Sequence, residues 1–256
     1  MRTEEYGKYL SQTYDFLNTD IDYAEWADFY KACFEKYGPG QIKNVCEMAC
    51  GTGNMALEMQ KRGYSVTAFD LSEYMLTVAD KKAFDKGVSG IRFTMQDMRS
   101  FKVYTKAQAV ICMLDSINCL MDTESVLSTF ESVFEALCEG GVFVFDVNSK
   151  YKFENVYSDN AYILEDEKIM LAWQNFYNPK SKKCDLYLNF FLEEEDGRYT
   201  RVDEHIKQRM YTVRSLDNLL KKAGFEIQCK VSGFDFKEAD ENTDERIFYI
   251  CKKMHD

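Results

Sequence analysis

Residues 45–54 read Val45-Cys46-Glu47-Met48-Ala49-Cys50-Gly51-Thr52-Gly53-Asn54. The first five, mostly apolar, make a short strand ending at Ala49, and a glycine-rich turn follows. A helix then runs from about Asn54 to Arg62, closed by Gly63. Glycines at such a turn let the backbone approach a ligand closely, and the helix N-terminus leaves amides unpaired there. The same rhythm continues outward. Tyr64–Asp70 is a second strand, and Ser72 caps a helix running to Gly87. Ile91–Met95 is a third strand and Ala109–Leu114 a fourth. A helix from Thr123 to Cys138 ends at Gly140-Gly141, and Val142–Asp146 is a fifth strand. Continuously apolar strands alternating with helices predict a parallel sheet buried on both faces.

The flanks read differently. Residues 5–37 read as helical, with Asp22 as an N-cap and Glu25 three positions on, as in a capping box. Tyr23, Trp26, Ala27, Tyr30 and Phe34 follow at helical spacing, and Gly38-Pro39-Gly40 ends the segment. From about Ala161 to Met210 the period becomes two: Ile169, Leu171 and Trp173, then Leu186, Leu188, Phe190 and Leu192. Turn signals stand at Asn178-Pro179-Lys180-Ser181 and Glu195-Asp196-Gly197-Arg198, so this is an antiparallel meander. A helix from Val213 to Ala223, a strand from Phe225 and a last strand, Arg246–Cys251, complete the chain. The expected organisation is a helical cap (1–40), an α/β domain (41–150 with 211–256) and an inserted β lid (151–210).

Composition narrows the function. Lys plus Arg is 32 against 43 Asp plus Glu, a net charge of -11, which argues against nucleic-acid or anionic-membrane partners. The nine cysteines include no C-x-x-C pair, and only His205 and His255 are histidines. No metal site is expected, and the cysteines read as buried hydrophobes of a reducing compartment, the cytoplasm. No signal peptide is expected behind Met1-Arg2-Thr3-Glu4-Glu5, and no run approaches the ~20 apolar residues of a membrane span.

The candidate site lies where the parallel strands finish, the usual ligand position in open α/β sheets. Asp70, ending the second strand, can accept from both hydroxyls of a ribose. Gln96-Asp97-Met98 offers a carboxylate for an adenine amino group and an apolar side chain for its ring face. The fourth strand leads into Leu114-Asp115. Gly51-x-Gly53-x-x-Ala56, with Asp70 near the ~20-residue offset, also fits a dinucleotide fingerprint, so the turn alone leaves a nicotinamide site open. Glu47 separates the two. A carboxylate just before the turn repels a pyrophosphate and welcomes a cation. An adenosine carrying an ammonium and a sulfonium is S-adenosylmethionine.

Val45–Asn54, Phe69-Asp70-Leu71-Ser72-x-x-Met75-Leu76, Gln96-Asp97-Met98-Arg99 and Asp146-Val147-Asn148 resemble, in order, the motifs of class I S-adenosylmethionine-dependent methyltransferases. Tyr14-Asp15-Phe16, Asp22-Tyr23-x-x-Trp26 and the β insertion resemble the small-molecule branch that includes sugar N-methyltransferases and glycine N-methyltransferase. The resemblance implies a Rossmann-like, doubly wound seven-stranded sheet, mostly parallel with the last strand antiparallel. It implies Glu47 near the methionine amino group and backbone contacts from Ala49, Cys50, Gly51 and Gly53. It implies Asp70 on the ribose, Leu71 on the adenine, and Asp97 and Met98 at its edge and face. Leu114 and Asp115 would border the methyl donor, and Met75 and Gln96 belong to the same cofactor-binding motifs. The family usually has Gly where this chain has Ala49, so slight crowding is expected there.

Methyl transfer is an in-line displacement at an activated carbon, so the protein needs mainly to align the acceptor and exclude water. Two residues are candidates to touch the acceptor. His205 would serve as base or contact, against its reading as a surface or packing residue. Tyr14 would lie over the methyl donor, against its reading as an aromatic packed between helices. The only prolines are Pro39 and Pro179, so the Asn/Asp-Pro-Pro-aromatic motif and the Pro-Cys nucleophile are both excluded. The expected acceptor is a small molecule, methylated on nitrogen or oxygen. The rival readings are a nicotinamide-dependent oxidoreductase and a non-enzymatic S-adenosylmethionine-binding protein.

Overall fold

A computed structural model describes residues 7–254. Residues 5 and 6 of the expected first helix, the residues before them and His255 lie outside that range. In chain order the helices are α1 (Lys8–Leu17), α2 (Tyr23–Tyr37), α3 (Asn54–Lys61), α4 (Glu73–Asp85), α5 (Thr123–Ala136) and α6 (Val213–Lys222). The strands are β1 (Asn44–Met48), β2 (Ser65–Asp70), β3 (Ile91–Met95), β4 (Ala107–Cys112), β5 (Leu137–Asn148), β6 (Ala161–Asp166), β7 (Ile169–Asn178), β8 (Lys183–Glu193), β9 (Tyr199–Arg209), β10 (Phe225–Val231) and β11 (Arg246–Lys253).

Seven strands form one sheet in the order β10-β11-β5-β4-β1-β2-β3. β1 to β5 run parallel, and β11 is antiparallel to its neighbours β5 and β10. The chain leaves β1 toward β2 and β3, then returns to β4 on its other side. That reversal is the topological switch point where a ligand crevice opens. Alternate residues of β5 supply both faces, which is why the strand reads as continuously apolar. Phe143, Phe145 and Val147 join Phe130 of α5 and Leu216 of α6. Val142 and Val144 join Trp26, Phe29 and Tyr30 of α2 on the other face. Phe145 stacks on Tyr249 at 4.9 Å between ring centroids.

The meander is a separate antiparallel sheet, β6-β7-β8-β9. Leu171, Leu186, Leu188, Phe190, Val202 and Ile206 form its inner face, packed with Leu10 of α1, Met75 of α4 and Phe153. Helix α1 therefore packs on the inner face of this sheet, which also meets the α/β core directly through Met75 and through Gln208 of β9.

Several boundaries differ from the sequence expectation. The 5–37 helical segment breaks into α1 and α2, because the Asp22 carboxylate accepts from the amides of Ala24 and Glu25 and starts a new helix. β1 stops at Met48, since Ala49 turns to φ 54°, and β4 stops at Cys112 ahead of Leu114 and Asp115, at φ 54° and 52°. α5 ends at Ala136, not Cys138. Leu137 already pairs with Ala107, so β5 runs through Gly140-Gly141 where a helix end was expected.

Candidate active site

A cavity of about 350 Å³ opens at the carboxyl ends of β1, β2 and β4. Phe69, Asp70 and Leu71 line it from the end of β2, and Gln96, Asp97 and Met98 from the end of β3. Tyr14 of α1 covers it beside Ala49, Gly51, Met75 and Leu114. The loop 45–54 owes its shape to backbone bonds. Cys50 N donates to Phe69 O at 3.0 Å, and Gly53 N to Cys50 O at 2.9 Å. Gly51 is at φ 52°, and a Cβ there would lie 3.3 Å from the Tyr14 ring. Gly53, at φ 76°, lines neither this cavity nor the recess behind it. A Cβ on it would meet Ala79 at 2.9 Å and Phe93 at 3.1 Å, so it serves the close packing of α3. Ala49 carries a Cβ in the left-handed region, which costs about 1–2 kcal/mol.

Asp70 accepts from Gly51 N and Ser72 N, both at 2.9 Å. Burial raises its pKa, against the pull of backbone bonds from Ser72, Gly51 and Leu71. A carboxylate offers about four acceptor sites, so capacity for a hydroxyl remains. Gln96 braces its own loop, accepting from Lys102 N at 2.9 Å and donating to Lys102 O at 3.2 Å. Asp97 is forked by Arg99, with Nε at 3.0 Å from both oxygens and Nη2 at 2.5 Å from Oδ2. That fork holds its carboxyl below the usual range.

Behind Tyr14 a small recess contains Glu47 and Cys50, together with Tyr23, Asn54 and Met113. It shares Tyr14, Ala49 and Leu114 with the larger cavity. Glu47 is 1% exposed, and its Oε2 has no hydrogen-bond partner. Burial first, then the Asp70 charge, push its pKa well above the usual value, against a bond from the Ala56 amide. A buried carboxyl with an orphaned oxygen fits a cationic group, so the residues present suit the ammonium of S-adenosylmethionine. Burial likewise raises the Tyr14 hydroxyl well above its ordinary value, helped by the charges of Tyr23, Asp115 and Asp70.

Asp115 lines neither space. Its carboxylate accepts from Gln208 Nε2 at 2.5 Å and Arg246 Nη2 at 3.1 Å, while its amide donates to Asp146 at 2.9 Å. Asp146 is fully buried and also pairs with Arg246. Burial draws the Arg246 guanidinium down, but the charges of Asp146 and Asp115 outweigh it and hold it raised. This network over-determines the strained Leu114-Asp115 pair and ties β4, β5, β9 and β11 together.

His205 also stands outside both spaces. It stacks on Tyr187 at 4.4 Å and bonds Asp185 at 2.7 Å. In β9 the residues sharing the inner face are Val202, Glu204, Ile206 and Gln208, and 205 falls on the opposite parity. The candidate base or contact His205 thus stands on the outer face, where its alternative reading as a surface or packing residue places it. Gln208 and Glu204 are the inward residues that sequence reasoning missed, and the apolar Val202 and Ile206 were the signal for them. Cys119, Leu120, Met121, Asp122 and Ser125 also line the cavity and were equally unforeseen, beside Ser116 of the turn after β4. No lining residue of either space comes from β6–β9; the lid reaches the cavity wall through α1, through Met75, and through β9, where Arg209 donates to Met121 O at 2.8 Å.

Residues 18–230 match the model of a methyltransferase domain family. A relative in Geobacillus sp. (strain WCH70) that carries a methyltransferase name is 33% identical over 240 residues, 94% of this chain and 96% of that one. The dTDP-3-amino-3,4,6-trideoxy-alpha-D-glucopyranose N,N-dimethyltransferase of Streptomyces venezuelae is 31% identical over 129 residues, 50% of this chain and 52% of that one. The crystal structure of an S-adenosylmethionine-dependent methyltransferase from Clostridium acetobutylicum ATCC 824 superposes with a TM-score of 0.86 at 29% identity, covering 98% of this chain and 99% of that one. These likenesses set the oxidoreductase reading aside. The chain belongs to the methyltransferase-domain family, and it is an S-adenosylmethionine-dependent methyltransferase.

Proposed function

We propose that the chain methylates a nucleophilic nitrogen or oxygen of a small molecule, with the 350 Å³ cavity and its recess as the cofactor site. The observation that carries this reading is the double cover. Helix α1 roofs the cavity, and the four-stranded sheet packs on α1 in turn. A site enclosed in this way suits an acceptor small enough to enter it, and the net charge of -11 disfavours a polyanionic one. The amino-sugar dimethyltransferase among the relatives favours nitrogen. The cysteine usage fits the cytoplasm.

In this reading Glu47 holds the ammonium, Asp70 the ribose, and Leu71, Asp97 and Met98 the adenine, with Met75 and Gln96 supporting the pocket. Backbone contacts come from Ala49, Cys50 and Gly51. The cofactor supplies an electrophilic methyl on a cationic sulfur. The chain's own residues bind and orient, and Tyr14 excludes water from above. A methyl-release assay across a panel of small amines and alcohols tests the proposal, with Asp70→Ala as the control. Turnover of a small acceptor, lost with cofactor binding in Asp70→Ala, is the expected result. Turnover only on protein or nucleic acid would refute it.

A further inference from the structure

Helix α1 carries Tyr14 over the cavity, yet its own anchorage lies next door, at Asp15. The Asp15 carboxylate reaches out of α1 onto two other elements. Oδ1 accepts from Thr52 Oγ1 at 2.6 Å and from Asn54 Nδ2 at 2.9 Å, both in the glycine-rich turn. Oδ2 accepts from Lys82 Nζ of α4 at 2.7 Å. Lys82 closes the ring by donating to Asn54 Oδ1 at 2.6 Å. Thr52 is 1% exposed and the Lys82 side chain 15%, so the far side of the ring is fixed in the core. The Asp15 side chain is 48% exposed, so the near side faces solvent. At its other end, α1 is held by the lid: Glu204 of β9 accepts from the Leu10 amide, and Leu10 is buried against the inner sheet face.

We infer that Asp15 is a positioning residue, the core-side latch that fastens α1 to the cofactor loop and so sets Tyr14 over the cavity. The inference rests on the cavity being the cofactor site. One carboxylate holds three donors from two elements, two of them neutral and one charged. Cutting that single side chain frees the helix end next to Tyr14 while the Glu204 end stays attached. Ligand entry and exit then require the Asp15 contacts to break, and the latch controls how long a bound ligand stays. Burial works against the Asp15 charge. The bonds from Lys82 and Thr52 and the Lys82 charge outweigh it, so the latch stays ionised well into acid.

The test compares the parent, Asp15→Ala, Asp15→Asn and Asp70→Ala. S-adenosylhomocysteine dissociation is followed by stopped-flow displacement, and hydrogen exchange is measured on the ligand-free proteins. Asp15→Ala is expected to release the ligand about tenfold faster or more, since it removes a charge-assisted bond along with two others. The amides of residues 10–17 exchange faster without ligand, while those of β1, β4 and β5 do not change. Asp15→Asn keeps an oxygen for Thr52 but loses the ion pair, and falls between the two; a merely structural role would not grade the release rate in this way. Parent-like release and exchange in Asp15→Ala, with binding lost in Asp70→Ala, would overturn the latch and leave the cavity assignment standing. Parent-like binding in Asp70→Ala would overturn the cavity assignment itself. Should Asp15→Ala not fold, the same comparison made with Asp15→Asn and Lys82→Met decides the question, with faster release supporting the latch and unchanged release refuting it.

Discussion

Replacing Glu47 by Gln tests the electrostatic reading of the recess most sharply. The side chain is 1% exposed, one oxygen has no partner, and the Ala56 amide bonds the carboxyl. The substitution keeps the shape and removes the charge. A hydrogen bond to a charged group contributes about 1.5–3 kcal/mol, so S-adenosylhomocysteine is expected to bind roughly 10- to 150-fold more weakly. Methylthioadenosine lacks the amino-acid end, and its affinity stays at the parent value. Calorimetric titration of both ligands measures the difference. Proton linkage gives a second readout. Burial raises the carboxyl in the free protein above the ordinary 4.5, and a bound cation lowers it again. Binding therefore releases a proton, and affinity rises with pH until the free-protein pKa is passed. Stability runs the opposite way. A raised acid contributes stability that is full below about 4.5 and is lost as pH rises through the folded value. The ligand-free Gln variant thus gains on the parent as pH rises. Equal affinity of parent and variant for S-adenosylhomocysteine, or equal loss for both ligands, would refute the assignment.

Ala49→Gly removes a Cβ from a left-handed position at φ 54°. Against the added freedom of the unfolded chain it should stabilise by about 0.5–1 kcal/mol, measured by urea unfolding. Arg246→Met strands Asp146 and Asp115 in the interior. A loss of about 3–5 kcal/mol is expected in the same assay, and a neutral effect would mean the network is not held by charge. His205→Ala leaves kcat unchanged, because the ring faces away from both spaces. A fall of about a hundredfold or more, the contribution of a general base, would bring His205 back into the mechanism.

The sheet was legible because its signals are local. Apolar runs, glycine turns and Ser72 as a cap each act within a few residues, and β1 to β5 emerged in sequence order. Asp70 and Met98 were legible as candidates because they stand at the ends of β2 and β3, and Tyr14 only through the family resemblance; all three line one cavity. What stayed hidden depends on long-range pairing. The capture of Asp115 by Gln208 and Arg246 joins residues distant in sequence. Asp115 reads as a site residue because it follows β4, but its carboxylate is spent inside the fold. His205 was a candidate for a simpler reason. A histidine drew attention, although its neighbours Val202 and Ile206 already fixed the inward parity on 204 and 208. The break between α1 and α2 was missed because Asp22 was read as a cap inside one helical segment, not as the start of a second helix.

A crystal structure with S-adenosylhomocysteine bears most directly on the whole account. The ligand is expected in the 350 Å³ cavity under Tyr14, with its ribose on Asp70 and its amino group in the recess with Glu47. A ligand bound elsewhere, or one in the cavity with its amino group away from Glu47, would contradict it.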